Sequence, residues 1–540
     1  MVPAHNSSSS RYAPAAVRLA LYILALGSVA VMLAAAQHKT FDLDRYFVAK
    51  ELVLHVCAAG AALVCVLHCR RLAVSMIDLL LVGFLLTGLV SSLLAINGWA
   101  AQRTWAISFS GAVLFWTASL LRRSGLVRPL LVALSAAVVV GAATALAQAY
   151  GVETEFFSLN RAPGGTFGNR NFVAHLAAIG TPIVLLVALT ARRGFGSLYG
   201  GVAMAVVAAA LVLSRSRAAW LAVIALSIPA AGLAFLTRRR WREPRTVRRL
   251  LVMGASAAIG AIAAVYLPNR LEWKSDSPYL DSAAGIVNYK EGSGRGRIVQ
   301  YTNTLRMTGA HPLFGVGPGN WAVAYPKYAS RNDPSMSSSD GVTANAWPSS
   351  DWFAFLSERG LIGFGFLLAV MVGLFGRAAK ELRTGGGHDA ERVLTAIALI
   401  ATLTATAVVG VFDAVLMLAA PAFFFWTAVG ILAPPRAGSI EWDKGARLAP
   451  MAALVIGGVA VMRSGAQLIA MGMYDTNQRL STVAEAAALD PGNYRIQLRL
   501  AQAYLARGDC LRTRRAARSA RALFPNAGEP KRILAQCGSR

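Results

Sequence analysis

Apolar residues in this chain arrive in long blocks separated by short polar stretches. A run of about 20 apolar residues crosses the hydrocarbon core of a bilayer as a helix. Thirteen such blocks are read, at about 17–36, 51–68, 74–96, 105–121, 129–150, 171–190, 199–213, 218–236, 250–267, 353–376, 393–412, 417–433 and 449–471. The block at 199–213 is short, and those at 393–412 and 417–433 nearly touch. The pattern predicts an all-α, polytopic helical membrane protein. Two polar segments interrupt it, a loop over 268–352 and a tail over 476–540, so the chain divides into a membrane domain, 1–475, and a tail domain, 476–540.

Composition narrows the class. The chain has 540 residues, 56% hydrophobic and 15% charged, against roughly a quarter charged in soluble domains. Its 53 Lys and Arg against 26 Asp and Glu give a net charge of +27, which raises the question of a nucleic-acid partner. The placement of the charge argues for topology instead. With a cytoplasmic N-terminus, the cytoplasmic loops hold Arg70 and Arg71; Arg122, Arg123 and Arg128; Arg192 and Arg193; seven Arg between Arg238 and Arg249; Arg377, Lys380, Arg383 and Arg392; and Arg436, Lys444 and Arg447. That is the positive-inside pattern in six successive loops, so no nucleic acid is expected. An odd number of spans puts the tail outside the cytoplasm. Ala34-Ala35-Ala36 resembles the end of a signal peptide, but its apolar run is long for one, so an uncleaved first helix is expected. Cys57, Cys65 and Cys69 read as small hydrophobes in or beside one block.

The tail repeats itself. Ala488-Leu489-Asp490-Pro491 returns as Ala522-Leu523-Phe524-Pro525, and Leu500-Ala501 as Leu534-Ala535, both at an offset of 34 residues. That period resembles the tetratricopeptide repeat. The resemblance implies helices around Leu498–Tyr504 and Ala516–Leu523, with Gly508 at the turn. It also places Cys510 beside Cys537, where a disulfide is expected in an oxidising compartment. The tail has twelve Lys and Arg against four acids; anionic lipid, an acidic glycan or plain solvation of a helix face would each suit it.

Three polar clusters fall at extracytoplasmic helix ends, where charge is costly unless it is used. Arg161-Ala-Pro-Gly-Gly-Thr-Phe-Gly-Asn169-Arg170-Asn171 combines close-approach glycines with donors at a helix N-terminus, a natural anion site and equally a capped tight turn. Ser214-Arg215-Ser216-Arg217-Ala218-Ala219-Trp220 puts two Arg on the side poor in basic residues. Snorkelling anchors are one reading; a bidentate phosphate clamp is the sharper one. The long loop carries Arg295-Gly296-Arg297, Tyr301, His311, the run Gly315-Val316-Gly317-Pro318-Gly319-Asn320, and Trp347-Pro348-Ser349-Ser350-Asp351-Trp352 leading to Glu358-Arg359-Gly360-Leu361-Ile362-Gly363. Its glycine run lacks the Lys-Ser/Thr of a nucleotide loop. Asp42-Leu43-Asp44 is a lone Asp-x-Asp, better read as a polar loop, and Asp78 and Asp413 are intramembrane acids with no evident partner in sequence.

In this order the clusters resemble the O-antigen ligase and O-antigen polymerase superfamily. The matching elements are Gly165 to Asn171, Ser216 to Trp220, Arg297 with Tyr301 and Pro312, Gly315-Val316-Gly317, and Asp351 to Gly363, together spanning about 160–380. The resemblance implies a metal-independent, inverting glycosyltransferase of GT-C type without a cofactor. Its donor would be a glycan on undecaprenyl diphosphate. Its acceptor would be lipid A-core for a ligase, another lipid-linked repeat for a polymerase, or protein. The setting would be a bacterial inner membrane, with envelope proteins as further partners through the tail. Arg217 and Arg297 match the family arginines that engage the diphosphate, and the chemistry asks for such cations, because negative charge develops on the leaving phosphate. Arg161, Asn169, Arg170, Arg215, Tyr301, His311 and Glu358 are candidate substrate-binding residues. The chain departs from the ligase pattern in one place: Ser349 stands where a His is expected. That leaves Asp351 as the favoured base or positioning group, a helix N-cap as its alternative, and a polymerase favoured over a ligase. A lipid-glycan transporter and a non-catalytic scaffold are the rivals from other classes; no internal repeat of the membrane blocks supports the transporter.

Overall fold

The computed structural model describes residues 15–538 except 69–71, 159, 192–193, 274, 286–291, 331, 338–339, 385–388, 435–439 and 443–445. Cys69 and the loop residues Arg70, Arg71, Arg192, Arg193, Arg436 and Lys444 lie outside the described residues. The helices run in order α1 (Ala15–Leu33), α2 (Asp44–His68), α3 (Met76–Leu93), α4 (Gly98–Arg123), α5 (Val127–Ala149), α6 (Arg170–Leu189), α7 (Gly194–Ser214), α8 (Arg217–Leu236), α9 (Arg238–Trp241) and α10 (Pro244–Tyr266). The long loop contributes α11 (Pro278–Ala284), α12 (Gly292–Ala310) and α13 (Trp321–Ala324). Then come α14 (Asp351–Thr384), α15 (Ala390–Phe412), α16 (Ala419–Leu432) and α17 (Leu448–Thr476), and in the tail α18 (Leu480–Leu489), α19 (Tyr494–Ala506), α20 (Cys510–Leu523) and α21 (Gly528–Gly538). A three-residue antiparallel pair, β1 (Leu72–Val74) with β2 (Ile440–Trp442), and an isolated bridge between Met336 and Thr343 interrupt an otherwise all-α, polytopic architecture among the described residues.

Among the described residues, twelve helices are long and apolar enough to cross a membrane, one fewer than the thirteen blocks. The difference is the block at 417–433, which forms the 14-residue α16, about 21 Å long. The chain nevertheless changes sides there. Asp413 lies beside Asp351, with Asp351 N–H donating to Asp413 O at 3.2 Å, whereas β2 pairs with β1 at the opposite end of the bundle. All fourteen residues of α16 are buried, so the irregular backbone at its ends meets protein rather than lipid, the condition under which such backbone is tolerated at membrane depth. Small residues set the closest contacts: a Cβ on Gly260 of α10 would come 2.1 Å from Ala205 O of α7, and one on Gly430 of α16 2.5 Å from Phe115 O of α4.

Contacts gather one set of connections at a single face. Asn97 N–H donates to Asn320 Oδ1 (2.8 Å), Arg270 N–H to Ala149 O (2.8 Å), and Thr40 N–H to Asp475 Oδ1 (3.2 Å). This loop-bearing face carries both the 268–352 loop and the tail. Within the tail, α19 and α20 occupy the two expected helical segments, and Gly508 turns between them at φ 72°. Cys510 and Cys537 are disulfide-bonded with Cα atoms 5.4 Å apart. Asp340 of the long loop latches the tail: its carbonyl accepts from Gly528 N–H at 2.9 Å, and its carboxylate accepts from Glu529 N–H at 2.5 Å and from the Tyr494 hydroxyl.

Candidate functional site

The glycine motifs of the loop are explained by a break in α14. Gly360 sits inside that helix at φ 67°, in the left-handed region that disfavours a side chain. A Cβ there would lie 2.2 Å from Leu313 O, and one on Gly315 would lie 2.4 Å from Glu358 C. The break frees the Ser357 and Glu358 carbonyls to accept from Val316 N–H (3.0 Å) and Gly317 N–H (2.9 Å). The fully buried Glu358 carboxylate accepts from Gly319 N–H (2.8 Å) and Trp321 N–H (3.2 Å). Glu358 therefore holds the loop onto the bundle and is turned away from the arginine cluster. Its neighbour Arg359 donates to Ser108 Oγ at 2.6 Å and lies over Phe84.

Asp351 is also fully buried. Its Oδ1 accepts from Val415 N–H (2.9 Å) and its Oδ2 from Leu416 N–H (2.8 Å). It braces the turn between α15 and α16. Asp78, the other unassigned acid with Asp413, accepts from Ser75 N–H and Oγ (both 2.7 Å) and from Trp116 Nε1 (3.1 Å), capping α3. Asp44 opens α2 and pairs with Arg103 at 2.9 Å.

The turn braced by Asp351 presents Asp413 to His175, Arg297 and Arg161. Asp413 Oδ2 lies 4.0 Å from His175 Nδ1, and Oδ1 accepts from Ala414 N–H at 2.9 Å. Burial raises its carboxyl to about 6, opposed by the Ala414 N–H, by Arg297 and Arg161, and by a hydrogen bond from Asn171. Tyr301 joins from α12: its hydroxyl is 2.7 Å from both Ser349 O and Val411 O, and its ring stacks on Phe353 at 4.3 Å. Burial pushes that hydroxyl up to about 12, with Arg297 opposing and Asp413 adding. Arg297 and Arg217 lie within electrostatic reach of each other. Arg217 begins α8 and donates to Gly285 O.

Arg161, at φ 58°, accepts the Arg170 N–H through its carbonyl (3.1 Å), and Asn169 caps α6 by accepting from Asn171 N–H (3.0 Å). Arg215, at φ 50°, stands 4.1 Å over the Trp273 ring, and among the described residues its buried Nε has no hydrogen-bond partner. Arg297, Arg161 and Tyr301 thus lie in electrostatic reach of Asp413, and Arg217 beside Arg297 and Arg170 beside Arg161 and Arg215 extend the cluster. His311 stands apart: it is exposed at the far end of α12, about 20 Å along the helix axis from Arg297. Two members were missed in sequence. His175 sits one turn past Asn171, buried in an apolar helix, with Nε2 3.4 Å from Ser216 Oγ; nothing in its surroundings along the chain marks it. Asp413 carried a signal, an acid at membrane depth that demands a partner.

Fold and site together define a polytopic helical membrane protein with a cation-rich polar centre at one face, enclosed by a large loop and a helical tail. Residues 202–368 match the family model for O-antigen ligase, the family resembled in sequence. The matched stretch includes Arg215, Arg217, Arg297, Tyr301, His311, Asp351 and Glu358. It leaves out Arg161, Asn169, Arg170 and Asp413. No match to a curated protein was found.

Proposed function

We propose that the protein transfers a saccharide from undecaprenyl diphosphate to a glycan or lipid acceptor at the extracytoplasmic face of the inner membrane, with the loop-bearing face outside. The observation that carries this reading is a partly exposed carboxylate, Asp413, whose side chain is 16% exposed, with Arg297 and Arg161 in electrostatic reach of it and Arg217, Arg170 and Arg215 linked to those two in turn. In the step, the acceptor hydroxyl oxygen attacks the anomeric carbon. The bond from that carbon to the diphosphate oxygen breaks, the hydroxyl proton passes to Asp413, and the released diphosphate takes the electron pair. Arg217 and Arg297 stabilise its growing charge, with Arg161, Arg170 and Arg215 holding the phosphates. Asn169 caps the helix that presents Arg170. A single displacement inverts the anomeric centre, and the cationic load is met by arginine without a metal. Tyr301 fixes Ser349 and the end of α15, and so the geometry around Asp413. Asp351 supports the same turn. The tail reads as a short tetratricopeptide-like unit, 476–540.

With Ser349 in place of a histidine, a polymerase is favoured over a ligase. The test is a glycan profile from a deletion strain complemented with wild type, Arg217→Ala or Arg297→Ala. Accumulated lipid-linked single repeats in the deletion and both variants mean polymerase; accumulated full-length polymer on the carrier means ligase. Both variants behaving as wild type would overturn the mechanism.

A further inference from the structure

A second polar chamber lies on the loop-bearing face, between the membrane domain and the tail. Its volume is 430 Å³, within the range of ligand sites, roughly 300–1,000 Å³. Membrane helices α2, α4 and α17 form its floor, residues 342–347 of the long loop one wall, and the α18–α19 turn of the tail its roof. Beside it is a 400 Å³ cavity sharing Phe41, Asp44, Phe47 and 344–347 as a common wall and reaching Arg161 and Asn169. The chamber therefore leads toward the arginine cluster but is not part of it.

Three residues lining the chamber carry buried polar atoms with no hydrogen-bond partner among the described residues: Arg463 Nε, Gln467 Oε1 and Asp490 Oδ2. Gln467 is 7% exposed and Asp490 2%. Arg463 and Asp490 attract each other across the wall, yet buried polar atoms in folded proteins are nearly always satisfied, and three such atoms on residues lining one cavity point to an occupant that supplies donors and an acceptor. The charges exclude several occupants. Arg103 is held by both Glu51 oxygens (2.8 Å each) and by Asp44 (2.9 Å), so the strongest cation there is already neutralised. Lined by Asp44, Glu51 and Asp490 against Arg103, Arg463 and Arg495, the wall has balanced charge. It favours neither a phosphate nor a cation, and the charged groups among its apolar and aromatic residues disfavour an acyl chain. Aromatic faces complete it: Trp99 lies under Arg463 at 4.5 Å, and Trp347 meets Phe47 edge-on at 5.2 Å. Hydroxyl groups both donate and accept, and the C–H faces of a pyranose pack on aromatic rings.

We propose that this tail-roofed chamber binds an uncharged stretch of saccharide, its hydroxyls satisfying Arg463, Gln467 and Asp490. Resting on the glycosyl-transfer reading, the stretch is the acceptor glycan, held by the tail while its end reaches Asp413. The tail is then part of the substrate site, and Asp340 keeps the roof in place.

The test uses the full-length protein in lipid nanodiscs and oligosaccharides of a few sugars released by mild acid from the carrier-linked glycan of the producing cells. Binding is followed by tryptophan fluorescence and calorimetry. The expected result is saturable binding that weakens about tenfold or more in Gln467→Met and in Asp490→Asn, the loss of one buried hydrogen bond each, and stays within twofold in Arg217→Ala. Gln467→Met conserves volume, so it remains informative if Asp490→Asn folds poorly. No saturable binding to the wild type, or unchanged affinity in Gln467→Met, would overturn the proposal and leave a water-filled cavity. In transfer assays the same oligosaccharide should compete with acceptor; competition with the lipid-linked donor alone would overturn the acceptor assignment. Saccharide binding that follows this pattern while Arg217→Ala and Arg297→Ala transfer normally would sink the mechanism and leave the binding site standing.

Discussion

Asp351 and Asp413 lie side by side, and exchanging each for asparagine separates a bracing role from a chemical one. Asp351→Asn keeps one carbonyl oxygen for the Val415–Leu416 turn but aims an NH₂ group at the other N–H. One charge-assisted bond of 2.8–2.9 Å is lost, the other is weakened, and a buried donor faces a donor. Together these cost about 2–4 kcal/mol. The site is fully buried, so water offers no relief. Asp413→Asn disturbs less of the fold, because only its Oδ1 holds a backbone N–H in the turn. On the proposed mechanism it removes the proton acceptor, so transfer per folded molecule should fall about 100- to 10,000-fold. Thermal unfolding in nanodiscs and transfer normalised to folded protein read the two effects apart. An Asp351→Asn protein that melts like the wild type yet has lost transfer, beside an Asp413→Asn protein that retains it, would refute the assignment.

Transfer should show an acidic limb. Asp413, with its carboxyl raised to about 6, accepts a proton only when ionised, so kcat/KM should fall as pH drops below about 6, and Asp413→Asn should abolish the limb in the residual rate. Gly360→Ala should lower the yield of folded protein, since its Cβ would lie 2.2 Å from Leu313 O at a positive φ; detergent-extracted monomer by size exclusion checks this, and a wild-type yield would contradict it. Arg297→Lys keeps the charge but loses bidentate geometry, so it should retain a measurable fraction of transfer that Arg297→Met lacks. Reducing the Cys510–Cys537 bridge, which closes a 27-residue separation, removes about 3.5 kcal/mol of loop-closure stabilisation. Limited proteolysis should then cut the tail first and spare the membrane domain.

The architecture was legible because bilayer thickness makes helix length a direct readout of apolar run length. Among the spans it departed at α16, where the run 417–433 is long enough in sequence, but its first residues are spent in the turn that Asp351 holds. Arg217 stood out in sequence as a cation on the side poor in basic residues, and Arg297 only through its match to the family pattern. The role of Glu358 was not legible, because a carboxylate that accepts backbone N–H groups from residues about 40 positions away leaves no local trace. Nor was His175: an imidazole in an apolar helix gives no sign of the acid it faces from another helix. The chamber under the tail was invisible for the same reason, since α2, α4, α17 and the α18–α19 turn meet only in three dimensions.

On the proposed mechanism, the turn at 413–418 explains why the acid most suggestive in sequence is not the one that takes the proton. To point a carboxylate at the arginines from the end of α15, the chain must leave the helix before it crosses back. The N–H groups of the turn then lose their helical acceptors at a depth where water is scarce, and each needs another. Asp351 supplies two, from the first residue of a helix anchored by its own break at Gly360. Full burial of α16 follows, because a helix of 14 residues entering from such a turn cannot face lipid along its whole crossing. A change at Asp351 therefore moves Asp413 as well. Loss of transfer in an Asp351 variant is evidence about chemistry only once the position of that turn has been shown to be unchanged.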